Sequence, residues 1–145
     1  MREHPDHYDA ELLLRLFDLR REEQWRQARD WFEREFRAQT VEEFDQQHPP
    51  GSETNTFLLM VLDYWEMAAS IVCHGLIKQE FFFENTQDFW WVWEKIRALA
   101  PGARQQSQNP HLWKNLETLA TEYEKWMGQR APGALDALRR RMRTV

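Results

Sequence analysis

The stretch from Thr56 to His74 has the most apolar pattern in the chain. On a helical wheel its hydrophobic side chains cover most of the circumference, and its polar side chains fall in one narrow sector, which contains Asp63, Glu66, Ser70 and His74. A helix that is apolar nearly all round must be covered nearly all round by the rest of the protein. The pattern therefore predicts an all-α, single-domain helical bundle built around a central helix of about residues 54–74.

Two amphipathic segments come before this central helix. The apolar set of the second begins at Trp25 and is rotated by about a third of a turn from that of the first, which predicts a break near residues 21–23. Gly75 is expected to end the central helix in the left-handed conformation. The expected N-caps are Asp9 for the first helix, Thr40 for a short third helix, and Ser52 or Thr54 for the central helix.

One short helix and three longer helices are predicted after Gly75. The short helix covers about residues 78–84. The first longer helix is expected to begin after Thr86 as its N-cap and to end at Pro101-Gly102, followed by a polar loop over residues 103–108. The second is expected to begin at Asn109-Pro110 and to end at Gly128, and the third to begin at Pro132. The whole chain is thus predicted to form about six substantial helices and two short ones.

Composition and charge narrow the classes of function. With 145 residues, of which 42% are hydrophobic, the chain is long enough for one domain with a sizeable core. We expect that domain to span residues 1–145, with a frayed N-terminus over residues 1–7 and a basic, solvated helix end over residues 139–145. The net charge of −5 argues against a nucleic-acid-binding protein, because phosphate binding requires a basic surface.

The cysteine content and the central helix bear on location. The lone cysteine, Cys73, cannot form an intramolecular disulfide, and its place on the apolar stretch predicts a small buried side chain in a reducing compartment. The apolar stretch is short for a membrane span and carries Asp63 and Glu66 near its middle, at about 2.5–3.5 kcal/mol each on insertion scales. We therefore expect a cytoplasmic protein that does not bind membranes.

Several short motifs lie along the chain in the order Leu19-Arg20-Arg21-Glu22, Tyr64-Trp65-Glu66-Met67-Ala68-Ala69, His74-Gly75, Glu80-Phe81-Phe82 and Trp93-Glu94-Lys95-Ile96. Together they resemble a family of small, all-helical bacterial proteins of unknown function, over roughly residues 8–126. The resemblance implies a shared helical fold, and it brings no activity, cofactor or catalytic residue. Some related proteins begin with a membrane anchor, and we expect this chain to depart from them in that respect.

The polar sector of the central helix is the candidate catalytic site. Glu66, Ser70 and His74 follow one another at four-residue spacing, and Asp63 neighbours Glu66, so adjacent side chains can contact each other. A carboxylate beside a hydroxyl and an imidazole could perform acid–base chemistry if their pKa values were shifted. The simpler interpretation, which we favour, is a solvated strip or a satisfied hydrogen-bond network.

No other cofactor or catalytic pattern emerges from the sequence. The Glu-x-x-His pairs of di-metal helical bundles are missing, as are a nucleophile elbow and a glycine-rich phosphate loop, so no metal and no cofactor are expected.

Trp91 lies out of phase with the apolar stripe of its own predicted helix. Tryptophan is enriched where proteins associate, so we predict a homodimer with Trp91 at its interface. The leading hypothesis is a non-enzymatic, self-associating helical interaction protein. The alternative is a small enzyme or ligand-binding protein that uses the polar sector.

Overall fold

The structure is a computed structural model that describes residues 3–144, with side chains described through Arg143. These residues form the helices α1 (His7–Leu19), α2 (Glu23–Arg34), α3 (Val41–Gln47), α4 (Glu53–Cys73), α5 (Gln79–Asn85), α6 (Asp88–Ile96), α7 (Ala100–Ser107), α8 (Lys114–Arg130) and α9 (Ala134–Thr144). No strand occurs in this part of the chain. The prediction of an all-α single domain is confirmed.

Helix α4 is the central helix, as its pattern predicts. It packs mainly against α2 and α8, while α6 and α9 also pack against α8. Trp65 is 3% exposed and Leu62 is fully buried, so the apolar face of α4 forms the middle of the core. By length and composition alone α4 could cross a membrane, but the core helix of a bundle meets the same criterion.

Local signals set most helix ends in the first half of the chain. The predicted break separates α1 from α2, where the Glu22 carboxylate accepts hydrogen bonds from the backbone N–H groups of Gln24 and Trp25. The hydroxyl groups of Thr40 and Ser52 cap α3 and α4. Gly75 follows α4 with a φ of +79°, which is the left-handed conformation that glycine adopts without strain.

The prediction that Asp9 caps α1 is wrong by one turn. Asp6 is the N-cap, and Asp9 is the third helical residue of a capping box, accepting a hydrogen bond from the Asp6 backbone N–H. Asp9 is fully buried, and its other oxygen accepts a 2.6 Å hydrogen bond from the backbone N–H of Lys78, just before α5. A buried carboxylate in this position fixes the start of α1 against the start of α5. The predicted frayed end lies partly outside the described residues.

Several predicted boundaries in the second half are also wrong. Gln87, not Thr86, precedes α6, and Pro101 lies in the first turn of α7, which replaces the predicted loop. Proline is tolerated there because the first turn needs no N–H donor. Asn109 accepts a hydrogen bond from the His111 backbone N–H in a turn. Helix α8 begins only at Lys114, and it continues past Gly128 to Arg130.

Candidate functional site

Glu66 of the polar sector caps the start of α8. One carboxylate oxygen accepts a 2.9 Å hydrogen bond from the Leu116 backbone N–H, and the other accepts from the backbone and the side-chain amide of Asn115. The residue that precedes α8, Trp113, has a φ of 60° and makes no side-chain cap. Glu66 therefore supplies from α4 the acceptors that the first turn of α8 lacks, and its negative charge complements the helix dipole.

The other residues of the polar sector do not join Glu66 in a catalytic arrangement. His74 is exposed, and its Nδ1 lies 2.8 Å from the backbone oxygen of Ser70 and 3.4 Å from the Ser70 hydroxyl. Asp63 is exposed by area, although partial desolvation raises the pKa of its carboxyl above the ordinary value. Ser70 and His74 thus form a local contact at the end of α4, one turn away from a carboxylate already occupied by α8.

Cys73 is exposed, so the prediction that it is a small buried side chain is wrong. Its sulfur lies 3.7 Å from the backbone oxygen of Asn115. Desolvation raises the pKa of the thiol, and the negative charges of Glu66 and Glu122 raise it further. A thiol whose thiolate is disfavoured in this way is a poor nucleophile.

The largest concave feature among those described lies at the other end of the bundle. It is an open groove of about 690 Å³ between the C-terminal end of α1, the α5–α6 corner and the C-terminal end of α8. We call it the aromatic groove. The residues on which its character depends are Phe17, Arg20, Phe83, Tyr123, Trp126 and Arg130.

The wall of the groove is a cluster of aromatic rings. The Phe83 ring lies 5.2 Å from that of Tyr123 and 5.4 Å from that of Trp126, measured between centroids. The Tyr123 and Trp126 rings lie 5.9 Å apart. These separations fall in the range of favourable ring contacts, so the wall is held in one arrangement by its own packing.

Arg20 lines the groove. Its guanidinium group forms an ion pair with Asp88, and it lies over the rings of Phe17, Trp25 and Trp65 at 5.1–5.7 Å from their centroids. The Arg20 side chain is only 12% exposed. An arginine enclosed by three rings and one carboxylate is fixed in position, because its charge is stabilised on several sides at once.

Two hydroxyl groups lie at the base of the groove. The Tyr123 hydroxyl donates a 3.2 Å hydrogen bond to the side-chain oxygen of Gln87, and burial raises the pKa of Tyr123 above its ordinary value. The hydroxyl oxygen of Thr86 is enclosed and has no hydrogen-bond partner in the described part of the chain. Tyr123 therefore stays protonated at neutral pH and acts as a neutral hydrogen-bonding group.

Trp91 is half-buried. It packs against the core and lines a cavity of about 90 Å³ together with Arg37, Lys95 and Met142. The ammonium group of Lys95 donates hydrogen bonds to the backbone oxygens of Phe32 and, at 3.3 Å, Glu33. The pKa of Lys95 is lowered to about 8, mainly by burial and also by the positive charge of Arg37, while the negative charge of Glu33 opposes the shift.

The basic end of α9 is not wholly solvated as predicted. Arg139 forms ion pairs with Glu94 at 3.3 Å and with Glu124 at 3.1 Å, and its guanidinium group lies over the Trp90 ring. The Glu94 side chain is only 12% exposed. This arginine therefore attaches α9 to α6 and α8, whereas Arg140 and Arg143 are exposed. Val145 lies outside the described residues.

Metal binding finds no support among residues 3–144, where no group of three or more histidine, cysteine or acidic side chains is placed to hold an ion. The sequence interpretation missed the aromatic groove altogether. The residues that line the groove come from three separate segments of the chain. In each segment the amphipathic pattern predicts ordinary core packing. The one available signal was Arg20, a charged residue in the motif Leu19-Arg20-Arg21-Glu22 at the predicted helix break.

The fold and the groove define a small, all-helical protein without a recognisable catalytic centre in its described part. A family model described as a domain of unknown function, DUF4760, matches residues 7–126, which is most of the chain. The chain therefore belongs to this family, which is consistent with the family resemblance of its motifs. No curated protein matches the chain, and no solved structure matches it. The family gives no specific function.

Proposed function

We propose that the protein is a non-enzymatic helical binding protein and that the aromatic groove is its binding site. The observation that carries this proposal is the groove itself, which combines about 690 Å³ of open volume with a fixed aromatic wall and a fixed arginine. Small-molecule sites are typically concave, apolar in most of their lining and equipped with a few fixed polar groups. The aromatic groove is concave and has fixed polar groups; seven of its twelve lining residues are polar or charged, and its apolar surface is concentrated in the aromatic wall.

The catalytic alternative has less support. Acid–base catalysis by the polar sector would need Glu66 to face a reactant, but both of its oxygens accept hydrogen bonds from α8. Asp63, Ser70 and His74 do not line the aromatic groove. A general acid or base must lie within hydrogen-bond reach of its substrate, and the polar sector offers no cavity described here in which a substrate would sit.

The indole N–H signals in an NMR titration provide the test. Trp126 lines the groove, whereas Trp113 lies at the start of α8. We expect members of a set of aromatic and aliphatic fragments to shift the Trp126 signal saturably, together with the amides of residues 83–88, and to leave the Trp113 signal unchanged. A Trp126→Phe variant identifies the signal. Saturable shifts confined to the polar sector, or no saturable shift with any fragment, would contradict the proposal.

A further inference from the structure

We propose that the aromatic groove binds a small organic anion with an aromatic body. This inference rests on the proposed function, because it assigns a ligand chemistry to the same groove. Two features carry it: the rings that form the wall, and two lining arginines whose guanidinium groups lie over aromatic rings.

The wall accounts for the aromatic body of the ligand. Phe83, Tyr123 and Trp126 are in mutual ring contact, and half-buried Phe17 lines the groove near Arg20. A flat aromatic ligand can therefore bury its ring system against rings that are already ordered, at little further entropic cost. The volume of about 690 Å³ lies within the range of small-molecule sites.

The arginines account for the anionic group. The Arg20 guanidinium forms one hydrogen bond with Asp88, and a guanidinium carries five N–H donors, so donors remain for an acceptor in the groove. Arg130 lies over the Trp126 ring at 4.6 Å and has no acidic partner in the described part of the chain. Planar guanidinium groups that are already positioned are well suited to a carboxylate.

The acidic residues of the groove do not offset this preference. Asp88 already pairs with Arg20, and it lies 4.0 Å from a guanidinium nitrogen of Arg29. Glu84 is exposed, and none of the described hydrogen bonds holds its side chain. Arg20 is therefore fixed by its contacts. Arg130 is exposed but lies over the Trp126 ring, whereas exposed Glu84 has no such contact, which favours an anionic ligand over a cationic one.

Three ligands with one ring system and different charges test the inference. A naphthalene carboxylate, the matching naphthalene methanol and the matching naphthalene methylamine are titrated into the full chain, and the Trp126 indole signal and calorimetry report binding. We expect the carboxylate to bind about tenfold more tightly than the methanol, as one charge-assisted hydrogen bond would give. The methylamine is expected to bind most weakly.

Variants then show whether the arginines are responsible. Arg130→Met should weaken binding of the carboxylate about tenfold and leave binding of the methanol unchanged. Arg26→Met is the matched control, because Arg26 is exposed on α2 and outside the groove. Arg20→Lys is a second variant that keeps the charge and loses the planar fork, and it should also weaken carboxylate binding selectively.

The outcomes separate this inference from the proposed function. Equal affinities for the carboxylate and the methanol, or tighter binding of the methylamine, would overturn the anion inference and leave the groove as a binding site. Unchanged carboxylate affinity in both arginine variants would overturn it too. The anion inference would also be overturned if none of the three ligands shifted the Trp126 signal. The proposed function is decided separately, by the titration with the wider set of fragments.

Discussion

Replacing Glu66 should destabilise the protein through α8, although Glu66 belongs to α4. Its carboxylate accepts hydrogen bonds from the backbone N–H groups of Asn115 and Leu116 and from the Asn115 side chain. Leu116 is fully buried, so removal of the carboxylate leaves a donor that water reaches poorly. An N-cap contributes about 0.5–2 kcal/mol, and a hydrogen bond to a charged group about 1.5–3 kcal/mol. We expect Glu66→Ala to cost about 2–4 kcal/mol.

The matched variants separate the cap from a general effect of the helix face. Glu66→Gln keeps one acceptor oxygen and loses the charge, so it should cost about 1–2 kcal/mol. Asp63→Asn lies on the same face of α4 and should change the free energy of unfolding by less than about 0.5 kcal/mol. Urea denaturation measures the free energy of unfolding, and an unchanged m-value shows that the transition is comparable.

Amide hydrogen exchange locates the effect. Loss of the cap should reduce the protection of Leu116 and of the first turn of α8 before it affects the middle of α4. A Glu66→Ala protein within about 0.5 kcal/mol of the wild type would refute the reasoning, because surface changes of no consequence fall in that range. Equal costs for Glu66→Ala and Asp63→Asn would refute it as well.

Four further predictions concern other parts of the fold. Trp65→Ala, at a core position that is 3% exposed, should cost about 3–5 kcal/mol in the same urea assay, and a cost below about 1 kcal/mol would contradict the central-helix assignment. Asp9→Ala should cost about 1–3 kcal/mol, because it leaves the Lys78 N–H without its acceptor, and a neutral result would remove that role. The pKa of Lys95 is lowered from 10.5 to about 8, so between these values the unfolded chain binds more protons than the folded protein. The free energy of unfolding should therefore rise with pH from about 8 to 10. This rise should vanish in Lys95→Met, and its persistence there would show that Lys95 is not its cause. Above pH 10 the raised pKa of Tyr64, about 12, acts in the opposite direction, so the measurement stops there. Self-association through Trp91 remains a prediction: sedimentation should give a dimer that Trp91→Glu weakens, and a monomeric wild-type protein would exclude it.

The sequence was sufficient where structure depends on local patterns. The apolar wheel of residues 54–74 predicted the central helix, and the rotation of the apolar face at Trp25 predicted the break between α1 and α2. The start of α8 could not be found in this way. Asn109-Pro110 has the form of a start signal, yet the helix begins at Lys114, where packing on α4 places Glu66 against the first turn.

A common physical reason connects the wrongly predicted start of α8 with the missed groove. Three helix ends are satisfied by side chains from distant parts of the chain: Asp9 before α5, Glu66 at the start of α8 and Lys95 at the end of α2. Such caps leave no signal in the local sequence, because the unpaired backbone groups at a helix end can form hydrogen bonds with any suitably placed side chain.

The aromatic groove is built from helix ends as well. Arg20 follows α1, residues 83–88 join α5 to α6, and Trp126 and Arg130 lie in the last turns of α8. The periodicity of a sequence places side chains on a face of one helix, but it does not say where that helix stops relative to its neighbours. The ends of the helices therefore carry both the cross-chain caps and the proposed binding groove, and both depend on the tertiary packing that brings those ends together.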